Sequence, residues 1–165
     1  MSTSWKYDIR ADLEWQPTQI RKVAETGKGL GIRAEGEWKY RKDLDFAVDA
    51  DGVREGYEGA IYDHLRTQGK AGYLHTAPDG YMGSLIGKWG PDGSVFKIGK
   101  HRIFTDGSAS DTSKTLYLAM NDESGKGFQD NEGVMHVFAY IFDNRDREQH
   151  WTYDRHSDTW SSSTS

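Results

Sequence analysis

From Trp5 to Trp15 the apolar residues fall on alternate positions, Trp5, Tyr7, Ile9, Ala11, Leu13 and Trp15, with Lys6, Asp8, Arg10, Asp12 and Glu14 between them. A repeat of two puts every large side chain of an extended chain on one face. The segment therefore reads as a half-buried strand or strand pair, not as a helix, whose faces repeat every 3.6 residues or so. Leu30, Ile32, Ala34, Trp38 and Tyr40 repeat the pattern against Arg33, Glu35, Glu37 and Lys39, and Gly36 among them marks a bulge or a close backbone contact. Further strands are expected within residues 83–90, 95–98, 115–120 and 134–142. The last is apolar on both faces and reads as a central strand. Pro91-Asp92-Gly93, Asp106-Gly107 and Gly125-Lys126-Gly127 supply the turns between them. Short strands at this spacing, with 19 glycines and little helical periodicity, predict an all-β sandwich.

Composition narrows what such a sandwich can do. At 165 residues one domain is expected, and 13% aromatic residues allow a core built on few large side chains. The absence of cysteine excludes thiol catalysis, zinc fingers and Fe–S clusters. A net charge of -5 disfavours a nucleic-acid surface, which needs clustered Lys and Arg. Apolar runs such as residues 137–141 fall far short of the ~18 residues of a membrane helix, so no membrane insertion is expected. The opening Met1-Ser2-Thr3-Ser4-Trp5-Lys6 has no apolar h-region, which predicts a chain made in the cytoplasm, with release outside the cell by another route left open.

Residues 41–82 break the strand rhythm and read as a long loop insertion, the usual place for binding on a β scaffold. Tyr57, Ile61 and Leu65 would allow one short helix over residues 57–66. Asp49-Ala50-Asp51-Gly52 lacks a completing acid and reads as an Asx turn. His150, Trp151, Tyr153, His156 and Trp160 form an aromatic cluster expected to seal a sheet edge or a subunit contact, and residues 161–165 read as a disordered tail.

The stretch richest in chemistry is residues 120–133, between two expected strands. It offers Asp122, Asp130 and Asn131 on a loop whose glycines let carbonyl oxygens turn inward. Ca²⁺ selects six to eight such hard oxygen donors, whereas softer metals ask for Cys or His. The loop is not an EF-hand, and on spacing alone it reads equally as a polar hairpin with solvated acids.

Leu118-Ala119-Met120-Asn121-Asp122, a Gly-containing loop, and Asp130-Asn131-Glu132-Gly133 before the final strand resemble the signature of the LecA-like (PA-IL) galactophilic, calcium-dependent bacterial lectins. Trp5-Lys6, Gly36-Glu37-Trp38-Lys39-Tyr40 and Gly83-Ser84-Leu85-Ile86-Gly87-Lys88 are similar to three further family segments in the same order. The resemblance implies a small jelly-roll-like β-sandwich lectin domain over residues 1–142, followed by a C-terminal extension, residues 143–165. It also implies one bound Ca²⁺, galactose-containing glycans as partners, no catalysis, and a homo-oligomer, tetramer or dimer. The implied side-chain ligands are Asp122, Asp130 and Asn131, with carbonyls from Tyr40 and from Lys126 or Gly127. The same Asp122, Asp130 and Asn131 would meet the sugar, joined by His64 and Gln68, with His75 as the competitor of His64.

Three departures from the family pattern stand out. Asp130 replaces an Asn and adds a negative charge, the loop is one residue longer, and Tyr40 follows its Trp by two residues instead of three. Two other functions compete. A glycoside hydrolase could pair Asp122 with Glu132, but needs one acid with a raised pKa and a fixed separation. A purely structural sandwich needs neither metal nor sugar.

Overall fold

The computed structural model describes residues 4–21, 28–43, 46–52, 74–75, 81–105, 114–143 and 150–163. Among these the chain is antiparallel β-structure, with one short 3-10 turn, arranged as an all-β sandwich. One sheet runs β1 (Ser4–Arg10), β9 (Glu132–Asp143), β3 (Lys28–Glu35) and β7 (His101–Thr105), with β4 (Trp38–Lys39) also paired to β9. The other runs β2 (Gln16–Pro17), β8 (Leu116–Met120), β5 (Leu85–Trp89) and β6 (Phe96–Lys97).

Register follows from the period of two, since a slip by one residue would turn a whole apolar row to water. Ile9 lies opposite Met135, and Tyr7 opposite Val137. On the other side of β9, Ala34 lies opposite Val137 and Ile32 opposite Ala139. From the second sheet Leu85 opposes Met120, and Gly87 opposes Leu118. These inward rows form one core of Ile32, Trp38, Leu85, Leu116, Leu118, Met120, Met135 and Val137, all at most 1% exposed.

The expected central strand is β9, flanked by β1 and β3, and its residues 137–140 are buried without alternation. The second face of β9 is covered by the chain's end. β10 (His150–Asp154) and β11 (Thr159–Ser163) form a hairpin. Trp160 stacks on Phe138 at 5.4 Å, and Tyr153 on His136 at 4.3 Å. The serines at 161–163, expected in a disordered tail, are therefore strand residues: their backbones pair with residues 150–152. Tyr153 and Trp160 pack on a sheet face, where a sheet edge or subunit contact was expected.

Gly36 does separate two strands. It has a φ of 121°, and a Cβ there would stand 3.3 Å from the Val134 carbonyl oxygen. In the insertion, Val48 and Ala50 are fully buried. Val48 exchanges two backbone hydrogen bonds with Trp38. Asp49 Oδ1 accepts the Asp51 N–H at 3.0 Å, which is the expected Asx turn. The helix expected over residues 57–66 lies outside the described residues.

Candidate functional site

β8 ends at Met120, and β9 begins at Glu132. The loop between them is fixed from three directions. Phe128, in the 3-10 turn Lys126–Phe128, is 3% exposed and anchors the loop in the core. Glu14, from the turn after β1, accepts hydrogen bonds from Ser124 Oγ and from the Gly125 N–H, both at 2.9 Å. Asn121, fully buried, clasps the insertion. Its Oδ1 accepts the His75 N–H at 3.0 Å, and its Nδ2 donates to the carbonyls of His75 at 2.8 Å and Tyr81 at 3.1 Å.

Held this way, Asp122 and Asn131 each keep one buried oxygen without a donor. Asp122 is 5% exposed; its Oδ1 accepts the Glu123 N–H at 2.7 Å, while Oδ2 has no partner. Asn131 is 2% exposed and donates through Nδ2 to the Ala11 carbonyl at 2.9 Å. That bond fixes which way the amide points, so the orphaned atom is the acceptor Oδ1. A buried acceptor with no donor costs about 1–3 kcal/mol. Two such acceptors at the two ends of one loop are a donor set for a hard cation, so these residues fit Ca²⁺.

The electrostatics agree. Burial pushes the Asp122 carboxyl up to about 6. The Glu123 N–H and the adjacent Asn131 side chain pull it partly back, and the charges of Asp130 and Glu123 push it further up. The buried anion is thus one that a bound cation would stabilise.

The other expected ligands are distributed around this pair. Gly127 lies against it: a Cβ there would stand 3.1 Å from Asp122 Oδ1, so a side chain would crowd the carboxylate. Lys126 precedes it in the same turn. Asp130 is exposed, close enough for its charge to act on Asp122, and its carbonyl accepts the Lys42 N–H at 2.7 Å. That bond brings the chain just after Tyr40, itself 5% exposed, to the loop. His64 and Gln68 lie outside the described residues. His75, the competitor, has its backbone clasped by Asn121, next to Asp122 in sequence, while the Leu74 N–H donates to the Asp122 carbonyl at 3.2 Å. Glu132, the carboxylate a hydrolase would pair with Asp122, is exposed and lies opposite Lys39 in the ladder.

Sequence reasoning missed Asn121, Glu14 and the Ala11 carbonyl. The Asn-Asp pair was visible, but only its acid was assigned a role. Glu14 and Ala11 are more than 100 residues from their partners, and no local pattern marks them. Removing the clasp with Asn121→Ala deletes three part-buried hydrogen bonds. It is expected to lower stability by about 2–3 kcal/mol and to free the backbone at His75. Denaturant unfolding, with hydrogen exchange at His75, measures both effects.

No family model matches the chain, and no curated protein matches it in sequence. Among solved structures it is similar to one described as "EclA N-terminal domain; PllA-like lectin", with 21% identity and a TM-score of 0.51, over 84% of this chain and 96% of that one. At that identity the likeness is one of architecture, and the sandwich described above is shared with that lectin domain along most of both chains.

Proposed function

We propose that the protein is a non-catalytic, calcium-dependent lectin that takes the terminal galactose-type sugar of a glycan at the loop between β8 and β9. The observation that carries this reading is the pair of buried, donorless oxygens, Asp122 Oδ2 and Asn131 Oδ1. The shared architecture with a protein described as a lectin supports it. Asp122, Asp130 and Asn131 would hold the ion, with carbonyls from Tyr40 and from Lys126 or Gly127. Bound there, Ca²⁺ supplies open coordination positions that two vicinal hydroxyls can fill. The side chains of Asp122, Asp130 and Asn131 orient those hydroxyls, with the further sugar contact from His64 and Gln68 or from their competitor His75, whose backbone Asn121 holds. A single shallow site of this kind gains avidity from several copies, which favours a homo-oligomer.

Thermal melts in EDTA, in calcium and in calcium with galactose test the reading. A ligand at about 100 times its dissociation constant adds about 2.7 kcal/mol to the native state. For a domain of this size that is a rise of about 5–10 °C. Calcium is expected to give such a rise, and galactose a further one only when calcium is present. Identical melts in EDTA and calcium would sink the proposal, and release of reducing sugar from aryl galactosides would favour the hydrolase.

A further inference from the structure

A cleft of about 520 Å³ runs along the outer face of the β1–β9–β3–β7 sheet where the C-terminal hairpin leans on it. Its lining is Gly36, Glu37, Val134, His136, Tyr153 and Arg155, none of which belongs to the loop site. The volume lies within the roughly 300–1,000 Å³ of small-ligand sites.

Three features define what this cleft can accept. Its apolar wall is Val134 with the His136 and Tyr153 rings, stacked at 4.3 Å and 18°. The stack is held at both ends: His136 Nδ1 lies 2.8 Å from Asp8 Oδ1, and the Tyr153 hydroxyl donates to Asp158 Oδ1 at 2.6 Å. Lys6 in turn donates to the Asp158 carbonyl at 2.6 Å, so the wall is fixed before any ligand arrives. Opposite in chemistry are Glu37, a pure acceptor, and Arg155, a pure donor, both exposed. At Gly36 a side chain would meet the Val134 carbonyl and the His136 ring, so glycine there keeps backbone close to the cleft.

The charges around the cleft are mixed: Glu37, Asp8 and Asp158 against Arg155 and Lys6, with His136 between them. The lining itself carries one carboxylate, Glu37, and one guanidinium, Arg155, so neither a strong anion nor a strong cation finds a wall of single opposite sign. A neutral polyol with one apolar flank meets donor, acceptor and aromatic wall at once. We infer that this cleft is a second saccharide site, separate from the loop and its calcium ligands, which takes a neutral sugar of a galactose-containing oligosaccharide. The choice of a sugar rests on the lectin reading above; the location does not.

The test is a lactose titration of the full chain, isotope-labelled and followed by amide NMR, once in EDTA and once in calcium. In EDTA, saturable shifts are expected at Gly36, Val134, Tyr153 and Arg155. Calcium should add a separate set around Asp122 and Asn131. Glu37→Gln and Arg155→Ala, exposed positions with folding checked by melting, should weaken the EDTA response by about tenfold each, through loss of a charge-assisted hydrogen bond. They should leave the calcium-dependent set in place. The inference is overturned if the cleft amides do not move in EDTA, if both variants respond like the parent, or if glycerol shifts the same amides as strongly as lactose. A calcium-dependent set without a cleft set defeats this inference alone; a cleft set without the other defeats the calcium reading alone.

Discussion

Asp122→Asn is expected to raise the melting temperature of the calcium-free protein at neutral pH and to abolish its response to calcium. The first effect follows from burial. A carboxyl moved from an ordinary value of 3.8 to about 6 is destabilised as an anion in the folded state. That shift corresponds to about 3 kcal/mol. Well below pH 3.8 the group is protonated in both folded and unfolded chains, and nothing is lost. As pH rises from about 4 to 6 the unfolded chain ionises first, so the native state loses stability across that window, and above it the loss is constant. The amide carries no charge and brings a donor to the neighbourhood of Asn131 Oδ1, which lacks one. The variant should therefore be the more stable protein above pH 6 in EDTA and the less stable one in calcium. Melting both proteins from pH 4 to 8, with and without calcium, reads out this crossing. If the two melt together in EDTA at every pH, the Asp122 anion is not strained and the metal argument loses its physical basis.

Trp38→Ala is expected to be the most damaging single truncation, at about 3–5 kcal/mol. Trp38 is 1% exposed, and its indole N–H donates to the Gly83 carbonyl at 2.6 Å. Its backbone pairs with Val48, and Gly133 lies so close that a Cβ there would stand 2.9 Å from Trp38 Cα. The Trp38 side chain thus ties β4 to the approach of β5, while its backbone pairs with the insertion and packs against Gly133, two residues past Asn131. Loss of calcium affinity should accompany the loss of stability. Trp38→Phe separates the two effects: most of the packing stays, the Gly83 carbonyl loses its donor, and about 1–2 kcal/mol is lost. Chemical denaturation of both variants, with calcium titration by calorimetry, checks the order. A Trp38→Ala protein as stable as its parent would show that the insertion is held by something else.

The strands with alternating large residues were legible because a strand buried on one face must alternate, as β1 does and as Leu30, Ile32 and Ala34 do along β3. β9 was legible as a central strand because its run from 137 to 140 does not alternate. β7 was not foreseen: His101-Arg102-Ile103-Phe104-Thr105 is too polar to read as a strand, and it pairs because β3 presents an edge to it. Within the C-terminal extension the hairpin of β10 and β11 was not foreseen, and residues 161–163 were read as part of a tail. Serines score as loop residues, yet Ser161 opposes Thr152 in a ladder whose partner strand stacks Tyr153 against His136.

By itself the sequence determined the class of fold and the chemical character of the loop, since period-two burial and a supply of hard oxygen donors are local properties. Tertiary structure alone decided which of those oxygens are left without a donor. Asn131 Nδ2 turns to Ala11, and Glu14 takes Ser124 and Gly125. Such pairings depend on which distant strands become neighbours, and a buried acceptor is strained only once its surroundings have closed around it.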